Sequence, residues 1–389
     1  MKKIFFFTDI GFSKRDYERF QIEKLKKIFD VYIIDLTSCF QKLFIKNRKN
    51  KEKVYKLENY ILIENIEHCL SIISSIKPEY AFDFISETNQ QVLKLKKFLK
   101  KKNVKLVLFQ IGLVPSKNRT FQESLLRIIF LVLKPFSLYL KLLRIFKHKL
   151  NLKKLKNISY DFIFVSGIDG VTHNQAKFSK KIIYSHSLDY EKFLNFKPSN
   201  INQKNYLIFL DQNLPFHSAQ FFRKEKPQVS EAKYYPALHN TFLKLEKKFQ
   251  MEVVIAPHPR ADISKYKHFF KGRKVSNLDT IELVKKSNGV LAHTSTSVSF
   301  AVIYRKPIIF LTSNEIIQSY DDYRIHNSSR ILNSELINID NKKYLNNINS
   351  EDFTLSTDRV KYDLYFKNYI KHPDSKNISM INLIENNLR

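Results

Sequence analysis

A chain of 389 residues with a hydrophobic fraction of 43% has the length for two packed domains and the apolar content to fill them, which excludes a disordered protein. Its two cysteines, Cys39 and Cys69, exclude a disulfide framework and a CxxC motif, and they suit a reducing cytoplasm. The formal net charge of +30 has two open sources: Lys, Asn and Ile are over-used throughout, as in A/T-rich genomes, and the surplus favours anionic partners such as membrane lipid, nucleic acid or phosphorylated substrate.

The first stretch, "MKKIFFFTDIGFSK", has the basic head and apolar run of a signal peptide, but the run stops at Thr8-Asp9, so it reads as a first β-strand. "FDVYIIDLT", "EYAFDFIS", "VKLVLFQIG", "YDFIFVSG" and "KIIYSHS" follow as buried parallel strands, with amphipathic helices predicted over residues 17–29 and 90–101. After a polar patch at 198–200 the rhythm restarts with "YLIFLDQN", a helix over 234–249, "MEVVIAPHP", a short helix over 279–287, "GVLAHTSTS", another helix and "PIIFLTSNE". The pattern predicts an α/β protein of two Rossmann-like domains, residues 1–197 and 198–345, with a helical tail over 346–389 that packs back.

Residues 120–157, "TFQESLLRIIFLVLKPFSLYLKLLRIFKHKLNLKKLKN", are apolar and basic together, with Glu123 the sole acid. Lys134, Lys141 and Arg144 interrupt any spanning run and Pro135 would kink a helix. Two readings stay open: an amphipathic element lying in an anionic membrane interface, or a helical segment packed on its own domain with a solvated basic side.

The chemistry concentrates in the second half. In "VVIAPHPRADI" two prolines end a strand and hold His258 in a stiff loop, with Arg260 the nearest candidate cation. In "GVLAHTSTSVSFAV" the hydroxyls of Thr294, Ser295, Thr296 and Ser297 stand where a helix begins, where unpaired N–H groups and an N-cap are expected and a phosphate can bind. Parallel strands share one carboxyl edge, so both loops are expected to face one crevice.

A His-Pro loop followed by a Ser/Thr turn in the second of two Rossmann-like domains resembles the GT-B glycosyltransferases that use CMP-activated acidic sugars: bacterial sialyltransferases and polysialyltransferases, other nonulosonate transferases, and the Kdo transferases of capsule and lipopolysaccharide assembly. The resemblance implies that His258 and Pro259, with Ser295, Thr296 and Ser297, hold the CMP of the donor. It also implies a glycan acceptor, either free or lipid-linked, no cofactor beyond the donor substrate, and a cytoplasmic enzyme peripheral at the inner face of a bacterial membrane. The family's D/E-D/E-G acid has a partial counterpart in "SGIDG", with Asp169-Gly170 and Ile168 in place of a second acid. Asp211 in "FLDQNLPFH" is the rival base or nucleophile, while His217 and Glu315 read as structural. No metal site is expected: Asp321-Asp322 lacks DxD spacing and the histidines are scattered. A CDP-glycerol-type phosphotransferase and other nucleotide-sugar enzymes share the architecture. A nucleic-acid-binding protein is the third class, for which no RNA or DNA module is present.

If residues 120–157 dock on anionic lipid, binding of the protein to anionic liposomes falls with added salt and falls again when Lys141, Arg144 and Lys147 are replaced by Ser. Equal binding to neutral and anionic vesicles would contradict this.

Overall fold

A computed structural model describes residues 1–40, 58–87, 89–115, 158–172, 174–197, 205–216, 227–259, 261–276, 278–316 and 320–389. The basic segment 120–157, His217 and Arg260 lie outside the described residues. The chain forms two compact units: Met1–Ile111, Phe121–Leu188 and His372–Arg389 make the first, Gly112–Thr120 and Asp189–Lys371 the second. It thus leaves the first unit at Leu188, earlier than the 197/198 boundary expected from the sequence. The C-terminal region is helical but does not act as one tail: helix Arg359–Tyr365 belongs to the second unit and helix Met380–Leu388 to the first.

In the first unit, strands β1 (Lys3–Thr8), β2 (Asp30–Asp35), β3 (Tyr60–Leu62), β4 (Tyr80–Phe84), β5 (Lys105–Gln110), β6 (Phe162–Ser166) and β7 (Lys181–Ser185) form a parallel sheet in the order β3-β2-β1-β4-β5-β6-β7. Side chains alternate across it. Phe6 enters the core on one face, stacked on Phe84 at 4.3 Å and packed with the C-terminal helix, whereas Phe5 and Phe7 enter the core on the other. Both faces are covered, which is why these strands read as near-continuous apolar runs. The helix expected at 90–101 is Gln90–Lys101, started by Asn89, whose side chain accepts the Val92 N–H at 3.0 Å. The helix expected at 17–29 is instead two short ones, Lys14–Arg19 and Ile22–Leu25, because Gln21 takes a left-handed conformation between them with φ 49°. A capping box between Ser13 and Asp16 starts the first of the two early.

Lys96 and Asp83 form a buried ion pair in this unit. Lys96 Nζ lies 2.6 Å from Asp83 and donates to Tyr160 Oη at 2.9 Å, while that hydroxyl donates to Asp83. Burial and the neighbouring Asp83 charge push the Tyr160 phenol well above its ordinary range.

In the second unit, β8 (Tyr206–Leu210), β9 (Glu252–Ala256), β10 (Gly289–Ala292), β11 (Ile308–Thr312) and β12 (Glu335–Asn338) form a parallel sheet in the order β12-β11-β10-β8-β9. Helices Glu231–Phe249, Thr280–Lys286 and Val298–Ile303 lie near their expected positions. No helix among the described residues is long and apolar enough to cross a membrane.

His293, fully buried at the end of β10, ties this unit's layers together. Its Nδ1 is 2.7 Å from the Leu311 carbonyl and its Nε2 is 2.7 Å from Tyr234 Oη on helix Glu231–Phe249. A carbonyl only accepts, so Nδ1 carries the proton and Nε2 accepts from the tyrosine. Burial lowers the His293 pKa from 6.5 to about 4, against the opposing pull of the Leu311 carbonyl and Asp321. The folded state therefore binds this proton less readily than the unfolded one. Stability is fully present above pH 6.5 and is lost as pH falls from 6.5 to about 4, by roughly 3 kcal/mol at most. His239 acts in the same direction, lowered by burial and then by Arg273, whose guanidinium it meets at 2.7 Å. Denaturant unfolding at several pH values tests this: His293→Asn, whose amide can still donate to the Leu311 carbonyl, should flatten the acid slope whatever it does to stability at pH 7. An unchanged slope would contradict the assignment.

Candidate functional site at the carboxyl edge of the second sheet

The strand order places β8 between β9 and β10, with Leu210 in register with Ala256 on one side and Ala292 on the other. Asp211-Gln212, Pro257-His258 and His293-Thr294 therefore leave the sheet side by side. The loops after β9 and β10 are two strand spacings apart, about 10 Å in backbone terms, with the β8 loop between them.

The Asp211 N–H donates to the Ala256 carbonyl at 3.0 Å, which prolongs the β8–β9 ladder by one bond. Beyond it the prolines act. Pro257 offers no donor, and the Ala261 N–H closes a turn on the His258 carbonyl at 2.9 Å, with Pro259 at the turn position that suits its fixed φ. His258 is half-buried and Pro259 exposed.

The Ser/Thr turn differs from expectation in one respect. Its amides do not point outward together: the Ser297 N–H donates to Ser295 Oγ at 3.2 Å, and those of Val298, Ser299 and Phe300 donate to the carbonyls of Ser295, Thr296 and Ser297. The chain winds through successive i→i+3 bonds before the short helix Val298–Ile303 begins, and Ser297 makes no side-chain cap. Ser295, Thr296 and Ser297 are half-buried and Thr294 is buried, so the turn offers hydroxyl groups rather than a nest of amides.

Two neighbours of this turn were not singled out from the sequence. Gln212 Oε1 accepts the Thr294 N–H at 2.9 Å, joining the β8 loop to the β10 turn. Gly112, with φ 80°, lies beside the turn, where a Cβ would make an ordinary van der Waals contact with Thr296 Cγ2 at 3.9 Å. A polar residue at the end of a central strand and a glycine after an apolar run were the available signals, and neither specifies a partner.

The acids have separate surroundings. Asp211 is buried, and its Oδ1 accepts the Asn213 N–H at 2.8 Å while Asn213 turns into the left-handed region with φ 52°. Asp169 belongs to the first unit, half-buried in the first turn of the short helix Ile168–Thr172. The left-handed glycine of that motif is Gly167, with φ 98°, rather than Gly170. Glu315 accepts the Ser230 N–H at 2.8 Å and the Ser230 hydroxyl, at the start of helix Glu231–Phe249. Asp322 accepts the Thr312 hydroxyl at 2.8 Å, and Asp321 the Gln228 amide at 2.6 Å. Among the described residues no group of three or more His, Cys, Asp or Glu side chains could hold a metal ion.

No protein-family model matches this chain, and no curated protein matches it. Among solved structures, MurG of Acinetobacter baumannii is similar over 94% of both chains, with a TM-score of 0.48 and 6% identity. CalG4, the calicheamicin glycosyltransferase, is similar over 94% of both chains, with a TM-score of 0.48 and 9% identity. The UDP-GlcNAc 2-epimerase of Methanocaldococcus jannaschii, in complex with UDP-GlcNAc and UDP, is similar over 94% of this chain and 98% of its own, with a TM-score of 0.45 and 13% identity. Likenesses at this level assign neither an activity nor a ligand to this chain.

Proposed function

We propose that the protein is a GT-B glycosyltransferase that moves an acidic sugar, a nonulosonic acid or Kdo, from a CMP-activated donor to a bacterial surface glycan. The observation that carries the reading is the carboxyl edge of the second sheet, where His258 after β9 and the Ser295–Thr296–Ser297 hydroxyls after β10 flank the end of β8. A phosphate of the donor nucleotide fits this spacing. In the reaction an acceptor hydroxyl oxygen bonds to the anomeric carbon as the bond from that carbon to the CMP phosphate oxygen breaks. The departing phosphate gains negative charge. His258 meets that charge with a hydrogen bond or a positive charge, and the turn hydroxyls share it, which is the kind of fixed polar environment that favours a transition state over its ground state. Arg260 is a further candidate contact. The donor site is proposed to work without a metal ion, and the enzyme to act at the cytoplasmic face of the membrane, where the basic segment 120–157 would meet anionic lipid.

Asp211 and Asp169 remain the two candidates for the base. An asparagine at 211 keeps an oxygen for the Asn213 N–H, so the loop should survive the substitution.

Thermal unfolding with CMP, CDP, UDP and GDP tests the donor, since a ligand raises the stability of the fold that binds it. A selective rise with CMP is expected. A selective rise with UDP would replace the donor, and no rise with any of them would overturn the nucleotide reading. His258→Ala is expected to cost roughly 2–4 kcal/mol of transition-state stabilisation, with smaller losses for Ser295→Ala or Ser297→Ala and none on adding a chelator. Of Asp211→Asn and Asp169→Asn, the one at the base should lose turnover by orders of magnitude with donor affinity intact; near-normal turnover in both would place the base elsewhere.

A further inference from the structure

We propose that the first unit binds a fatty acid, with its alkyl chain in an apolar pocket and its carboxylate on Arg19. The site is made within that unit and does not depend on the nucleotide reading above. Its floor is aromatic: Phe6 of β1, Phe84 of β4 and Phe109 of β5 form a row on one face of the sheet, where Phe84 stacks on Phe6 at 4.3 Å and on Phe109 at 5.3 Å. Helix Met380–Leu388 and the two short helices that meet at Gln21 pack on this face. They leave a pocket that opens to solvent and holds about 360 Å³ of empty space, lined among others by Phe20, Phe84, Phe109, Met380 and Ile384. Phe20, Phe84 and Phe109 are only half-buried there. A pocket of this size and lining suits a small apolar ligand.

One charge decides the class of that ligand. Among the described residues that line the pocket Arg19 alone is charged, and Gln21 is the only other polar residue. Arg19 is half-buried, and its guanidinium has no hydrogen bond or ion pair among the described residues. The acids nearest to it in the chain are engaged elsewhere: Asp16 with Ser13, Glu18 with Lys14 and Glu23 with Tyr17. A cation held beside apolar surface gives up part of its hydration, and here no protein group replaces it. A ligand with an alkyl chain and an anionic head supplies both missing contacts. A carboxylate matches the guanidinium best, because the fork presents two parallel N–H donors to its two oxygens.

The test is titration calorimetry on the full chain with octanoate, decanoate, laurate and lauryl alcohol, each below its critical micelle concentration. Affinity for the carboxylates should rise with chain length, by about fourfold for each CH₂ that is fully buried. Arg19→Gln should weaken laurate at least about tenfold, the scale of one lost charged hydrogen bond, and leave lauryl alcohol unchanged. The chain contains no Trp, so Phe20→Trp puts a single reporter at the pocket and Phe249→Trp puts one in the second unit; bromine-substituted laurate should quench the first and spare the second. Thermal unfolding of the free variants checks that the fold is intact. Laurate that does not bind, or binds no more tightly than octanoate, would overturn the pocket as a chain site. Equal weakening of laurate and lauryl alcohol in Arg19→Gln would overturn the role of Arg19, and equal quenching of both reporters would overturn the location. A wild-type dimer that Arg19→Gln dissociates, with laurate unbound, would assign the pocket to a second copy of the chain and overturn the fatty-acid reading.

Discussion

Everything assembled at the carboxyl edge of the second sheet depends on β8 lying between β9 and β10. Hydrogen bonding between parallel strands fixes their spacing and register, so once Leu210 is paired with both Ala256 and Ala292, the loops that follow have no choice about their neighbours. The prolines around His258, the wound Ser/Thr turn and the Gln212 bridge refine a geometry that the ladder already imposes. The three strands are apolar throughout except for Glu252 at the start of β9, and the polar chemistry begins where they end.

Strand ends in both units use a shared device. Asp35 accepts the N–H of Thr37, Asp83 that of Ile85, Asp211 that of Asn213 and Asn338 that of Asp340. Each side chain satisfies the backbone two residues on, where the ladder can no longer do so. This recurrence bears on Asp211. Its bond to Asn213 is what strand ends in this protein commonly make, so the bond accounts for the shape of the β8 loop and does not by itself mark a residue of the chemical step.

Much of this fold was legible because its signals are local. Helix Gln90–Lys101 announces itself by periodicity and an Asn cap, and Pro257 and Pro259 end β9 because a proline has no N–H to give the ladder. Strands β3 and β12 are hard to read from the chain: both are short edge strands, "YIL" only three residues long and "ELIN" with a polar residue at each end. The break at Gln21 has no glycine or proline to mark it. The site divides in the same way. His258 and the Ser/Thr turn could be found because unusual residues crowd within a few positions. Gln212 could not, since its partner is Thr294, and neither could His293, whose two bonds reach residues 234 and 311. Such contacts come from strand order, and strand order is not written in any short stretch of the chain.

A structure of the protein with CMP bound tests the account most directly. The phosphate should lie at the carboxyl end of β8, within hydrogen-bonding distance of the His258 ring and of at least one hydroxyl among Ser295, Thr296 and Ser297. CMP bound away from this edge, or a phosphate there that His258 does not touch, would contradict it.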